Sequence, residues 1–234
     1  CRALILSNIQ ISGAGRYLTA ARRLRIPTVG YVASWDHAVG KGVMSPHLDR
    51  YVVQNEIMRR DLERFHGIEG DHVVVTGWPQ SDVFHRRRTR EAFDALLRRF
   101  EVDGTRPVVL VTGNSPTNAP YEGRFVERLV RWWEDEARER VALLFRPHPR
   151  DTLWRERYAA ALAAPGVGVQ PSSHTDLDDL ATLLQHVAVA VANAGTILLD
   201  AIVNDRPAVC VLYDEGAPPD ERWAALNVSG EHYR

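Results

Sequence analysis

Short apolar runs alternate along the chain with longer stretches whose apolar residues recur every three or four positions. Residues 3–8 read as a buried strand, followed by Gly13-Ala14-Gly15 and a helical stretch through Leu24. Residues 27–32, 51–53 and 72–76 read as three further strands. A helix between the last two reaches about Phe65, and Gly67 stands where a helix-terminating glycine is expected. The alternation restarts at residues 107–112. A helix over residues 123–138 keeps Phe125, Leu129, Trp132 and Trp133 at helical spacing, which assigns both tryptophans to the core. Residues 141–145, 166–169, 187–192 and 208–212 read as strands. One helix between them is capped by Thr175 or Asp176 and ends near Gln185, and another spans residues 196–203. Apolar strands alternating with helices are the mark of parallel sheets built from βαβ units.

Between the two series the composition changes. Residues 85–90 are a basic run, His-Arg-Arg-Arg-Thr-Arg, which reads as a solvated face, and a polar helix and connector lead on to Arg106. The expected organisation is therefore a first domain over 1–84, a linker over 85–106 and a second domain over 107–234. The fold class is α/β: two Rossmann-like domains with mostly parallel sheets facing each other across a cleft, the first of them incomplete.

Composition narrows the partners. Of 234 residues 25% are charged and 45% hydrophobic, and the net charge of −1 supplies no basic field to attract nucleic acid. Cys1 and Cys210 show no metal-type spacing, and Cys210 lies in the apolar run 208–212, so a buried, reduced thiol and a reducing compartment are expected. No apolar stretch approaches the ~20 residues a spanning helix requires. The start at Cys1 shows no signal-peptide pattern, and the abrupt ends suggest a piece of a longer protein lacking an upstream part. The sequon at Asn227-Val228-Ser229 is read as a chance match.

Four polar clusters come directly after strands: Ser34-Trp35-Asp36-His37, Gly113-Asn114-Ser115, Arg146-Pro147-His148-Pro149 and Asn193-Ala194-Gly195-Thr196. In doubly wound sheets, ligands bind at the carboxyl ends of the strands, and four such clusters over two domains imply a cleft site between them. In the last cluster a buried strand turns into a helix opened by Gly195 and Thr196, whose unpaired amides would face an anion. Asp200, one turn on, shares the face of Thr196 and can take the hydroxyls of a ribose. Two prolines fix the backbone around His148, which can pair with or donate to a phosphate. Asp36 or His37 can serve as a general base toward an acceptor hydroxyl. No metal-binding set is evident, so positive charge would come from side chains and helix ends.

These motifs carry a resemblance. Trp35-Asp36-His37-Ala38-Val39-Gly40-Lys41 parallels Trp-His-Gly-Thr-Pro-Leu-Lys, and Lys41 is the sole lysine among 29 basic residues. Gly77-Trp78-Pro79-Gln80-Ser81-Asp82 parallels Gly-Tyr-Pro-Arg-Asn-Asp; Arg146 to Pro149 matches Arg-Pro-His-Pro; and Gly195, Thr196 and Asp200 parallel a Ser-Ser pair followed by aspartate. The chain thus resembles, over about residues 30 to 212, the CDP-glycerol glycerophosphotransferase group and related GT-B enzymes of surface polysaccharide synthesis.

The resemblance implies a metal-independent transferase without a cofactor. Its donor would be a nucleotide-sugar or CDP-polyol and its acceptor a hydroxyl of a glycan or lipid-linked molecule. By that resemblance His148, Gly195, Thr196 and Asp200 would bind the donor nucleotide and its phosphates, and Gly113, Asn114, Arg146 and Asn193 are expected beside them as members of the same strand-end clusters. Trp35 and Lys41 would lie on the acceptor side, with Asp36, His37 and His148 catalytic. It also implies a cytoplasmic location with peripheral contact at the inner face of the membrane. Asp36 replaces the family's histidine and Gly195 one of its serines, which shifts the expectation toward a nucleotide sugar. A UDP-sugar 2-epimerase-like enzyme, or a non-catalytic nucleotide-binding subunit, fits the same two-domain pattern.

Overall fold

The computed structural model describes residues 2–7, 9–171, 173, 176–193, 195–212 and 218. Cys1, the cap at Thr175, Ala194 and the sequon lie outside the described residues. Contacts divide the chain between Gln80 and Ser81 into two units.

The first unit runs β1 (Leu4–Leu6), α1 (Ile11–Arg23), β2 (Thr28–Tyr31), α2 (His37–Gly40), β3 (Arg50–Val53), α3 (Glu56–His66) and β4 (Val73–Val75). Its strands are all parallel, in the order β1-β2-β3-β4. Gly13 and Gly15, expected ahead of the first helix, lie within it. Helix α3 begins at Asn55, whose side chain accepts the Met58 amide at 2.9 Å, and ends at Gly67 in the left-handed region at φ 64°. Tyr51, Val53, Met58 and Leu62 anchor a core between this helix and the sheet.

The second unit runs α4 (Asp82–His85), α5 (Arg90–Arg99), β5 (Val108–Thr112), α6 (Glu122–Trp132), a π-helical turn (Trp133–Ala137) and β6 (Ala142–Arg146). It continues with α7 (Trp154–Arg157), α8 (Ala159–Ala163), β7 (Gly168–Val169), α9 (Leu177–His186), β8 (Val189–Ala192), α10 (Thr196–Val203) and β9 (Ala208–Cys210). The parallel strands are ordered β7-β6-β5-β8-β9, a doubly wound Rossmann-like sheet. Period-two alternation serves both faces. Leu110, Leu144 and Ala190 pack against α5, α9 and α10, while Val111, Leu143 and Phe145 pack against α6 and α8.

Four expectations are corrected by the fold. Residues 85–106 do not stand apart as a linker: Phe93, Leu96, Leu97 and Val102 are buried in the second unit's core, because α5 is amphipathic and covers β5 and β6. Within the basic run Arg88 is tucked in, donating to Asp178 at 2.5 Å, while the neighbouring Arg86, Arg87 and Arg90 are exposed. Trp133 is fully buried, its Nε1 donating to Val141 O at 2.8 Å, but Trp132 is exposed, because adjacent helical residues diverge by about 100°. Cys210 is exposed rather than buried: β9 is the last strand of its sheet, and of its residues only Ala208 packs on the core. Among the described residues no helix is long and apolar enough to cross a membrane.

Candidate functional site

In the second unit the register brings three strand ends level. Thr112, the last residue of β5, pairs with Arg146 on one side and Ala192 on the other. The residues just past these ends are therefore neighbours along one sheet edge: Gly113-Asn114, Pro147-His148 and Asn193. Strand β5 is also where the winding reverses, since β6 continues the sheet through helices on one face and β8 through helices on the other. This is the topological switch point at which such sheets bind ligands.

Helix α10 opens on that edge. Gly195 occupies its N-cap position in extended backbone (φ −174°) with no side-chain cap bond, and the first turn carries no acidic residue. A Cβ on Gly195 would meet only Asn193 O, at 3.7 Å, so protein packing does not require the glycine. Asp200 lies one turn further on. Its carboxyl is half-buried with no hydrogen-bond or ion-pair partner among the described residues, and burial alone pushes its pKa up to about 7.

His148 is half-buried at the end of β6, and its Nδ1 accepts the Arg150 amide at 3.1 Å. The neutral ring therefore carries its proton on Nε2, as a donor to an anion requires. Strands stand about 4.8 Å apart, so the ends of β6 and β8 flank β5 at roughly 10 Å, within the reach of a bound diphosphate and its donors.

Three other expected donor-side residues, Arg146, Gly113 and Asn114, make hydrogen bonds within the protein. Arg146 is buried and pairs with Asp176 at 2.7 Å, which ties the segment after β7 to the edge; Asp176 thus spends its carboxylate on Arg146 rather than on capping α9. The Gly113 amide donates to Arg146 O at 2.9 Å. Here a glycine is obligatory, because a Cβ would lie 2.0 Å from Tyr158 Oη and 3.2 Å from the His148 amide nitrogen. Asn114 is buried: its amide donates to Glu122 Oε1 at 2.8 Å and its Nδ2 to Asn193 O at 3.3 Å, while its Oδ1 accepts the Ser115 amide at 2.8 Å.

Beneath that edge lies a charged cluster that motif spacing does not show. Arg157 lies 2.8 Å from Glu122 Oε2 and also pairs with Asp151, and Tyr158 Oη donates to Glu122 Oε2 at 3.0 Å. Burial pushes the Glu122 carboxyl up to about 7 against the pull of Arg157, and burial chiefly raises Tyr158. One signal is present in the sequence: Glu122 precedes Val126, Val130 and Trp133 at helical spacing, a carboxylate in a core register.

In the first unit the segment after β2 gathers the other expected residues. Ser34 Oγ donates to Asp36 Oδ1 at 2.5 Å, and Lys41 Nζ lies 3.7 Å from Asp36 Oδ2. Burial, partly opposed by the Asp36 charge, holds the pKa of His37 below its usual value, so its ring is neutral at pH 7. Trp35 is half-buried against the core. His66, which the motifs do not indicate, fixes this segment: its Nδ1 accepts the Met44 amide at 3.2 Å and its Nε2 donates to Ala38 O at 2.7 Å. Among the described residues the one grouping with metal-ligand types, Glu69, Asp71 and His72, lies apart from these motifs.

No family model and no curated protein matches the sequence. Solved structures do. S. aureus MnaA, in a co-structure with UDP, superposes with a TM-score of 0.63 at 14% identity, covering 97% of this chain and 65% of that one. UDP-GlcNAc 2-epimerase from Neisseria meningitidis bound to UDP-GlcNAc gives 0.64 at 12% identity, covering 97% of this chain and 67% of that one. The wall teichoic acid polymerase TagF, as a variant soaked with CDPG, gives 0.51 at 15% identity over 72% of this chain and 39% of that one. The match thus takes in 65% of the MnaA chain and 39% of the polymerase, so this chain spans only part of each. The fold is that of the GT-B enzymes, in agreement with the motifs.

Proposed function

We propose that, on a GT-B fold, this chain binds a nucleotide-activated sugar or CDP-polyol through its second unit and transfers the activated group to a hydroxyl of a glycan or lipid-linked acceptor. The observation that carries the binding half is the start of α10 at the switch point, where Gly195 brings no capping side chain, with Asp200, which has no partner among the described residues, one turn along it. An amide-rich helix end without its own acid suits a diphosphate. A half-buried carboxylate without a partner among the described residues suits a pair of ribose hydroxyls. His148 adds an Nε2 donor on the same edge. In the first unit Asp36, or His37 beside it, would take the proton from the acceptor hydroxyl.

A 2-epimerase reading has its own support, because the two UDP-related structures cover 97% of the chain and the polymerase 72%. Product analysis separates the two. An epimerase inverts a sugar centre with no acceptor present, whereas a transferase consumes donor only when an acceptor is added. The binding half is tested by thermal shift against UDP, CDP, GDP and their sugar or glycerol conjugates. A cognate ligand at 100 times its Kd adds about 2.7 kcal/mol to stability and raises Tm. If no nucleotide in the panel raises Tm, the proposal fails.

Asp200 gives the site a pH signature. The hydroxyls of a ribose bond the ionised carboxylate, so binding pulls the pKa of Asp200 down from about 7 and releases a proton. Affinity should therefore rise with pH, by up to about tenfold between pH 6 and pH 8. Calorimetry with UDP-GlcNAc or CDP-glycerol measures this cleanly, since their phosphates do not titrate in that window. Asp200→Asn should bind more weakly and show no such slope. A slope that survives the substitution would assign the proton to another group.

A further inference from the structure

Glu122 and Arg157 are nearly inaccessible, with side chains 5% and 9% exposed, so neither can touch a ligand on the sheet edge. Burying a charged pair is a poor route to stability on its own, which makes the purpose of this one a question. Its geometry supplies an answer. Arg157 commits both terminal nitrogens twice: Nη1 to Asn114 O at 3.2 Å and to Asp151, Nη2 to Ala119 O at 2.5 Å and to Glu122 Oε2 at 2.8 Å. Glu122 in turn accepts the Asn114 amide through its other oxygen. Both backbone polar groups of Asn114 are thereby pinned, and the residues 114–119 are gripped at both ends by one guanidinium. With its backbone fixed, Asn114 reaches across from the β5 end to Asn193 O at the β8 end. Asn193 lies two positions before Gly195, the N-cap of α10.

We propose that Arg157 is a positioning residue for the diphosphate site: through Glu122 and Asn114 it sets the main chain at Asn193, and so the placement of the first turn of α10. The inference rests on the nucleotide reading of that helix start. It assigns a role to side chains from α6 and α7 that lie below the sheet edge, not on it. The planar fork is essential, because one ammonium cannot span Asn114 O, Ala119 O and Glu122 together.

The test combines amide hydrogen exchange with binding. Arg157→Lys keeps a charge beside Glu122 and loses the fork; Arg157→Gln with Glu122→Gln removes both charges and serves if the lysine variant does not fold. In either variant, exchange should quicken at residues 114–119 and also at residues 193–198, beyond any uniform rise across β5 and β6. The Kd for UDP-GlcNAc or CDP-glycerol should weaken about tenfold or more, since small displacements of fixed donors are costly. Asn114→Ala should reproduce the effect at 193–198, and adding Arg157→Lys to it should add little there, because the two act in series. Opening of 114–119 with wild-type exchange at 193–198, or unchanged affinity in a folded variant, would overturn the proposal. Should the wild-type protein bind neither nucleotide, the functional reading falls and the exchange coupling alone decides whether Arg157 sets the start of α10.

Discussion

Asp36→Asn is expected to cut turnover by about 10²–10⁴-fold while leaving nucleotide affinity within about twofold of wild type. Asparagine has the same shape and still accepts the Ser34 hydroxyl, so the local structure that places residue 36 survives. What it loses is the capacity to take a proton, together with the anionic partner of Lys41. That ion pair is largely solvated and worth at most about 1 kcal/mol, so Tm should barely move. The measurement is release of UDP or CDP from the activated donor in the presence of acceptor, beside calorimetric binding of the same donor. His37 provides the internal control. Its ring is neutral at pH 7 because burial outweighs the neighbouring carboxylate, and a neutral imidazole is also a competent base. Should Asp36→Asn turn over like the wild type while His37→Gln does not, the proton goes to the imidazole; if neither substitution matters, the base lies outside this segment.

The residues legible in the sequence are those whose role depends on local pattern. Helix α10 is legible to the residue, because an apolar strand, a glycine turn and an eight-residue apolar helix leave little choice of boundary. The end of β6 is equally plain, since Pro147 stops the strand and Pro149 fixes the backbone on the far side of His148. The illegible part depends on which elements meet. Glu122 and Arg157 lie 35 positions apart on different helices, and each alone resembles an ordinary helical charge. Strand-end position points Arg146 and Asn114 toward a ligand. That position is shared by residues that hold the edge together, and only the hydrogen bonds to Asp176 and Asn193 separate the two roles. The exposure of Cys210 escapes the sequence for a related reason. An apolar run gives the same signal in a central strand and in β9, the strand at the margin.

Gly195→Asp should raise the stability of the second unit and abolish nucleotide binding, two effects of opposite sign. The site has room: the nearest atom to a new Cβ is Asn193 O at 3.7 Å, and the backbone is in the extended region any residue adopts. An aspartate there adds the capping side chain that the N-cap glycine does not have, its carboxylate taking amides of the first turn and lying at the positive end of the helix, for a few tenths of a kcal/mol over glycine from the cap and about 0.3–1 kcal/mol from the helix dipole. The same carboxylate occupies the donors a diphosphate would use and sets like charges side by side. At about 4 Å and an effective dielectric near 20 that repulsion reaches ~4 kcal/mol, and with screening about 2–4 kcal/mol, or roughly 30- to 1000-fold in Kd. Gly195→Ser separates the two contributions, since it caps without charge: it should gain part of the stability and keep or tighten binding through its hydroxyl. Denaturant unfolding and calorimetry with UDP-GlcNAc or CDP-glycerol read both quantities on the same variants. A disrupted fold would lose stability and binding together, so a more stable protein that no longer binds identifies the start of α10 as the place where the diphosphate sits. Wild-type affinity in Gly195→Asp would remove the diphosphate from α10, and the transferase reading with it.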